Sequence, residues 1–99
     1  MIAGYSTSRH LLEDRSERLI KIATTVGFGE IFCKRPLKDG DGWAVFTTTG
    51  VMLVTDRNDS FIITMYLADI AKATAIFDGE IPKNLLKVLR ENKKKGYVK

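Results

Sequence analysis

Cysteine and histidine each occur once in this chain, as Cys33 and His10. A lone cysteine forms no intramolecular disulfide and cannot by itself hold a structural zinc, and a lone histidine leaves out the usual catalytic zinc sites. A cofactor loop is missing too. Gly27-Phe28-Gly29 lacks the third glycine and the preceding strand of a dinucleotide fingerprint and reads as a helix stop. No metal and no cofactor is therefore expected. No strictly apolar run is longer than Val51-Met52-Leu53-Val54, whereas a membrane-spanning helix needs roughly 20 such residues. The opening residues, Met1-Ile2-Ala3-Gly4-Tyr5-Ser6, show no charged segment followed by an apolar one, the mark of a secretory signal. A cytoplasmic protein without a membrane partner is expected. Neither an internal repeat nor a low-complexity linker interrupts the chain.

What is present suffices for one small core. Of the 99 residues 44 % are hydrophobic, and a chain of about 100 residues folds as one domain that buries well over half of the surface its unfolded form exposes. Residues 1–99 are read as that single domain. The formal charge of +4 is unevenly spread. Residues 1–82 carry nine basic and eleven acidic side chains, whereas residues 83–99 carry seven basic ones against Glu91 alone. On a helix turning roughly 100° per residue, Lys83, Lys87, Arg90 and Lys94 form one narrow stripe across from Leu85, Val88 and Leu89. Such a line of cations neutralises several phosphates at once. It equally suits a solvated terminal helix whose lysines sit at the negative end of the helix dipole.

Local signals order the elements. Ser8 predicts an N-cap for a helix over residues 9–26, with Gly27 and Gly29 ending it. Residues 30–35 read as a strand and residues 36–42 as a turn-rich loop. Residues 43–48, 51–55 and 60–67 read as a meander, because the links at 49–50 and 56–59 are short enough to force antiparallel neighbours. The last of these strands is apolar on both faces, with Phe61, Ile63, Met65 and Leu67 on one and Ile62 and Tyr66 on the other. That pattern predicts a central strand, or one covered on both sides. An alanine-rich helix over 68–77, stopped at Asp78-Gly79, leads to a basic C-terminal helix and tail over 83–99, and Pro82 suits the first turn of that helix. The expected fold class is α+β: an N-terminal helix, an antiparallel meander of about four strands, and two C-terminal helices.

Candidate chemistry concentrates on the first helix and the last strand. Leu11, Leu12, Leu19, Ile22, Ala23 and Val26 share one core-facing arc of the helix, and Arg15 falls inside it. A guanidinium there must snorkel, pair with an acid, or project into a cleft. Arg18 flanks it, and two arginines in a cleft would hold a phosphate or stabilise an anionic transition state. His10 is the one side chain whose ordinary pKa suits acid–base work near neutral pH, and the positive end of the dipole favours its neutral form. On the wheel it lies with Asp14, Glu17 and Lys21 on the polar face. Thr64 and Tyr66 share a face of the last strand, two residues apart, and their hydroxyls could donate to a phosphate. The Asp39–Gly42 and Asp56–Asp59 clusters read as turns rather than cation loops. Cys33 reads as a packed thiol and Trp43 as a core anchor.

Ser8-Arg9-His10 and Arg15-Ser16-Glu17-Arg18 on an N-terminal helix stand ahead of a meander ending in Val54-Thr55-Asp56 and Ile62-Ile63-Thr64-Met65-Tyr66. Over residues 7–67 this order resembles the small phage- and toxin-associated nucleases of the barnase, EndoU, colicin and RelE-like superfamily. The resemblance implies metal-independent RNA cleavage, with the 2′-hydroxyl attacking the adjacent phosphorus. It implies His10 as the acid–base group, Arg15 or Arg18 on the phosphorane, and Thr64 and Tyr66 positioning the phosphate. Two other classes compete. One is a non-enzymatic nucleic-acid-binding module working through Lys83, Lys87, Arg90 and Lys94. The other is a phage-type accessory protein whose sheet edge or apolar face meets a protein partner or inhibitor. RNA or another nucleic acid is the expected partner of the first two.

Overall fold

The computed structural model describes residues 2–14 and 16–98, and the side chains of His10, Asp14 and Ser16 lie outside the described set. The elements run β1 (Ser6–Thr7), α1 (Arg9–Asp14), α2 (Ser16–Thr25), β2 (Ile31–Pro36), β3 (Trp43–Thr47), β4 (Val51–Thr55), β5 (Phe61–Leu67), α3 (Ile70–Ile76) and α4 (Lys83–Lys94). Their ends follow from local chemistry. Ser8 Oγ accepts the Leu11 amide at 3.1 Å, the N-cap bond expected of it. Past α2 the chain turns at Gly27 (φ +75), whose amide returns to the Ile22 carbonyl. Asp69 caps α3 by accepting the Lys72 amide. Pro82 stands at the N-cap of α4, just ahead of the first-turn position expected of it. At the other end Gly96 (φ +81) and Tyr97 donate to the carbonyls of Lys93 and Asn92, a Schellman turn.

The strands form one sheet in the order β1-β5-β4-β3-β2. β2 to β5 are the expected antiparallel meander, and β1 lies parallel to β5, with Ser6 opposite Phe61. The α+β class therefore holds while the finer arrangement changes: among the described residues the sheet has five strands rather than four, and helix is described over Arg9–Asp14 and Ser16–Thr25, inside the span 9–26 expected of the N-terminal helix. β1 left no trace in the sequence because two residues carry no period and their partners lie more than fifty residues further along.

Helices cover both faces of the sheet. On one, Val45, Leu53 and Met65 lie in register and pack with Leu11 of α1 and Ile22 of α2. On the other, Phe46, Met52 and Tyr66 lie in register under α3 and α4, which contribute Ala73, Leu85 and Leu89, with Phe77 just past α3. The Phe46 and Phe77 rings meet at 5.2 Å between centroids, tilted by 41°, a favourable aromatic geometry. Two expectations about faces are corrected. A bulge at Ile63 lets Val54 pair with Thr64 but Thr55 with Ile62. Ile62 therefore joins Met65 on the α1–α2 face, because one inserted residue reverses the alternation. On the helices Leu12 is 53 % exposed and Ala23 is exposed. A helix resting on a flat sheet buries a narrower arc than the apolar stripe spans. Among the described residues no helix is long and apolar enough to cross a membrane.

α4 is locked on the β3–β4 hairpin. Asn92 is buried and donates from Nδ2 to the Thr49 carbonyl at 3.0 Å. Beside it, Gly50 (φ +87) leaves no room for a side chain, since a Cβ there would lie 2.5 Å from Asn92 Nδ2 and 3.3 Å from Val88 Cγ1. Gly50→Ala combines a left-handed conformation with overpacking and is expected to cost about 2–4 kcal/mol. Gly40→Ala, at φ +76 with nothing near its Cβ, should lose only the conformational part, roughly 1–2 kcal/mol. Urea midpoints at an unchanged slope measure both.

Candidate functional site

The outer edge of β5 organises the site. β4 takes its inner edge, while β1 pairs only with Phe61 and Ile62 on the outer one. Beyond that point side chains and loop amides replace a strand. The Ser8 amide donates to the Ile62 carbonyl at 2.9 Å, Ser8 Oγ to the Ile63 carbonyl at 3.4 Å, and Arg18 Nη1 to the Met65 carbonyl at 3.4 Å. Next to Arg18 the surface opens into a groove of about 360 Å³ between α2, β5 and the turn after α4, lined by Glu17, Arg18, Lys21, Ile22, Tyr66, Leu67, Tyr97 and Val98. A carboxylate, a guanidinium, an ammonium and two phenols thus share one wall-to-wall space. Lys72 Nζ from α3 sits 5.6 Å from the centroid of the Tyr66 ring, so cations approach this tyrosine from both layers.

The sequence-derived candidates distribute unevenly around the groove. Arg18 and Tyr66 both line it. Thr64 shares Tyr66's face, opposite Val54 under the α3–α4 layer, but does not line the groove. The side chain of His10 and the whole of Arg15 lie outside the described residues. Lys83, Lys87, Arg90 and Lys94 are all exposed on α4, opposite buried Leu85, Leu89 and Asn92. Three polar groove residues, and Val98 beside them, are not among the candidates the sequence offers. Glu17 and Lys21 are spaced one helical turn apart beside Arg18, a signal that looked like a solvated polar face. Tyr97 was hidden in the basic tail, and only the turn at Gly96 brings it back.

A second cluster is structural. Asp59, at φ +55, accepts from Tyr5 Oη at 3.1 Å and Thr55 Oγ1 at 2.8 Å and pairs with Lys34. Burial pushes the Asp59 carboxyl up, but the hydrogen bonds from Lys34, Thr55 and Tyr5 outweigh it and leave it below the usual range. The same burial, with the Asp59 charge, raises the Tyr5 phenol from 10.0 to about 12. Asp56 closes the β4–β5 turn by accepting the amides of Ser60 and Phe61. The Phe61 amide above all, with the Ser60 amide and hydroxyl, holds it at about 2. The expected turn at 56–59 is confirmed by these bonds. The turn at Asp39–Gly42 also holds, with the Asp41 amide donating to Asp39 Oδ1. Cys33 is half-buried in the α3–α4 core, and burial raises its thiol. Trp43 packs partly buried against the other core.

Comparison of the chain with protein-family models, curated proteins and solved structures returned no match.

The perturbed groups set the pH limits of the fold. Asp56 and Asp59 are more acidic folded than unfolded, so what they contribute is complete above the ordinary carboxylate value of 3.8 and is lost as pH falls below it, for Asp56 down to about 2. Tyr5 runs the other way, and stability should fall as pH rises from 10.0 to about 12. Thermal melts across both ranges test this. Asp59→Asn should flatten the alkaline limb and part of the acid limb, while a wild-type acid limb retained in that variant would assign it to Asp56.

Proposed function

We propose that the protein is a small ribonuclease that cleaves RNA without a metal ion in the groove on the β5 edge. One juxtaposition supports this reading: Arg18 and Tyr66, singled out independently on a helix and a strand, line one groove together with Glu17 and Lys21. RNA supplies its own nucleophile. A base takes the proton of the 2′-hydroxyl, whose oxygen attacks the adjacent phosphorus. The 5′-oxygen leaves with a proton from an acid, giving a 2′,3′-cyclic phosphate and a 5′-hydroxyl end. The protein has to provide a base, an acid and cations for the charged phosphorane, and nothing else. Arg18, with Arg15, stabilises the phosphorane. Tyr66 positions the phosphate, with Thr64 two residues away on the same face of β5 but off the groove wall, His10 transfers the proton, and Glu17 adds the carboxylate that the groove itself contains.

A second reading, binding of nucleic acid without cleavage, is favoured by the four exposed cations of α4.

The test is a cleavage assay with labelled single-stranded RNA and transfer RNA in excess EDTA. Wild type is expected to cut and to leave cyclic phosphate ends. Arg18→Ala should slow cleavage about 10²- to 10³-fold, as loss of a transition-state donor does. His10→Ala and Glu17→Gln should each slow it about 10²- to 10⁴-fold if they move the proton. Absence of cleavage by wild type sinks the ribonuclease reading, and RNA retained in a salt-sensitive complex then transfers the function to α4.

A further inference from the structure

α4 presents a line of cations to solvent, and the turn that follows it reaches the groove through Tyr97 and Val98. Lys83, Lys87, Arg90 and Lys94 are exposed, and among the described residues no ion pair engages any of them. Four acids elsewhere pair with other cations: Glu13 with Arg9, Asp59 with Lys34, Asp78 with Lys38 and Arg35, and Asp41 with Arg57. The stripe is about 16 Å long at the rise of an α-helix, the scale of several successive phosphates. At its end the Schellman turn folds the chain so that Tyr97, its amide tied to the Asn92 carbonyl, reaches the groove with 40 % of its surface exposed. An exposed aromatic ring at the end of a cationic track is the combination that holds an unpaired strand: phosphates run along the cations while a base stacks on the ring. A duplex offers no such base, because its bases are already stacked within the helix.

We propose that α4 and Tyr97 are the entry track for a single-stranded RNA, with the phosphates of the flanking nucleotides on Lys83, Lys87, Arg90 and Lys94 and one base stacked on Tyr97 at the mouth of the groove. The proposal rests on the reading of the groove as an RNA site and names the form of RNA it takes. Specificity for single strands comes from the ring, and affinity comes from the stripe. The two contributions separate under salt, since the phosphate contacts weaken with ionic strength and stacking does not.

The experiment uses 2′-O-methyl RNA, which lacks the attacking hydroxyl and survives any cleavage, and reads fluorescence anisotropy over a salt series. The single strand is expected to bind more tightly than a duplex of the same sequence. Tyr97→Ala should weaken the single strand roughly 10-fold and leave the salt slope alone, and Tyr97→Phe should restore it. Lys87→Ala with Arg90→Ala should reduce the slope by about 1.4, two phosphate contacts on a single strand. Both positions are exposed, and melting curves matching wild type confirm that the variants fold. Equal affinity for duplex and single strand, or unchanged binding in Tyr97→Ala, overturns the track. Cleavage of unmodified RNA is scored separately. Binding with these signatures but no cleavage overturns the ribonuclease reading and upholds the track, and cleavage with unaltered binding in the variants does the reverse.

Discussion

The carbonyl groups on the outer edge of β5 are the constraint around which the molecule is arranged. β5 is covered on both faces and paired with β4 along its inner edge, so any acceptor left over on the outer edge is cut off from most of its solvent. Such a group costs free energy comparable to a lost hydrogen bond. The N-terminal segment meets the need in three ways: a two-residue parallel strand, then Ser8 with both its amide and its hydroxyl, then the Arg18 guanidinium on Met65. Each is a weaker substitute for a full strand than the last. Where they run out, the sheet edge opens into the groove. The site is thus a by-product of an edge left short, and Arg18 belongs to the scaffold and to the groove wall at once.

The bulge at Ile63 decides which side chains meet there. With regular alternation Ile62 would stand beside Thr64 and Tyr66, and Tyr5, Leu11 and Ile22 would lose a central partner. The inserted residue places Ile62 in the α1–α2 core and leaves Tyr66 on the opposite face, between Lys72 and the groove. A single extra residue therefore separates the packing role of β5 from its chemical role along the same strand. Bulges near sheet edges commonly re-aim side chains in this way.

How legible this was depends on whether the signal was local. Ser8, Gly27 and Asp78-Gly79 marked helix ends because capping and left-handed turns are decided within a few residues, and β4 over residues 51–55 was legible to the residue. The exposure of the α4 cations followed from their spacing alone. β1, the bulge and the groove were not legible, because each depends on which segment lies next to which. Two residues such as Ser6 and Thr7 carry no period, and Ile63 looks like any other apolar strand residue. Glu17 and Lys21 become groove residues only once β5 and Tyr97 stand opposite them. Leu12 shows the converse error: a helical wheel says which residues are apolar, and the neighbouring surface decides how many are covered.

The parallel pairing of Ser6 with Phe61 sets the order in which the two layers can form. The meander and the helices after it are built from neighbours in the chain, whose closure costs little entropy. α1 and α2 leave the ribosome before the meander, and the strand they pack on is its last. Until β5 has emerged, Leu11 and Ile22 have no core to enter, and the apolar sides of the N-terminal helical segments wait for their sheet.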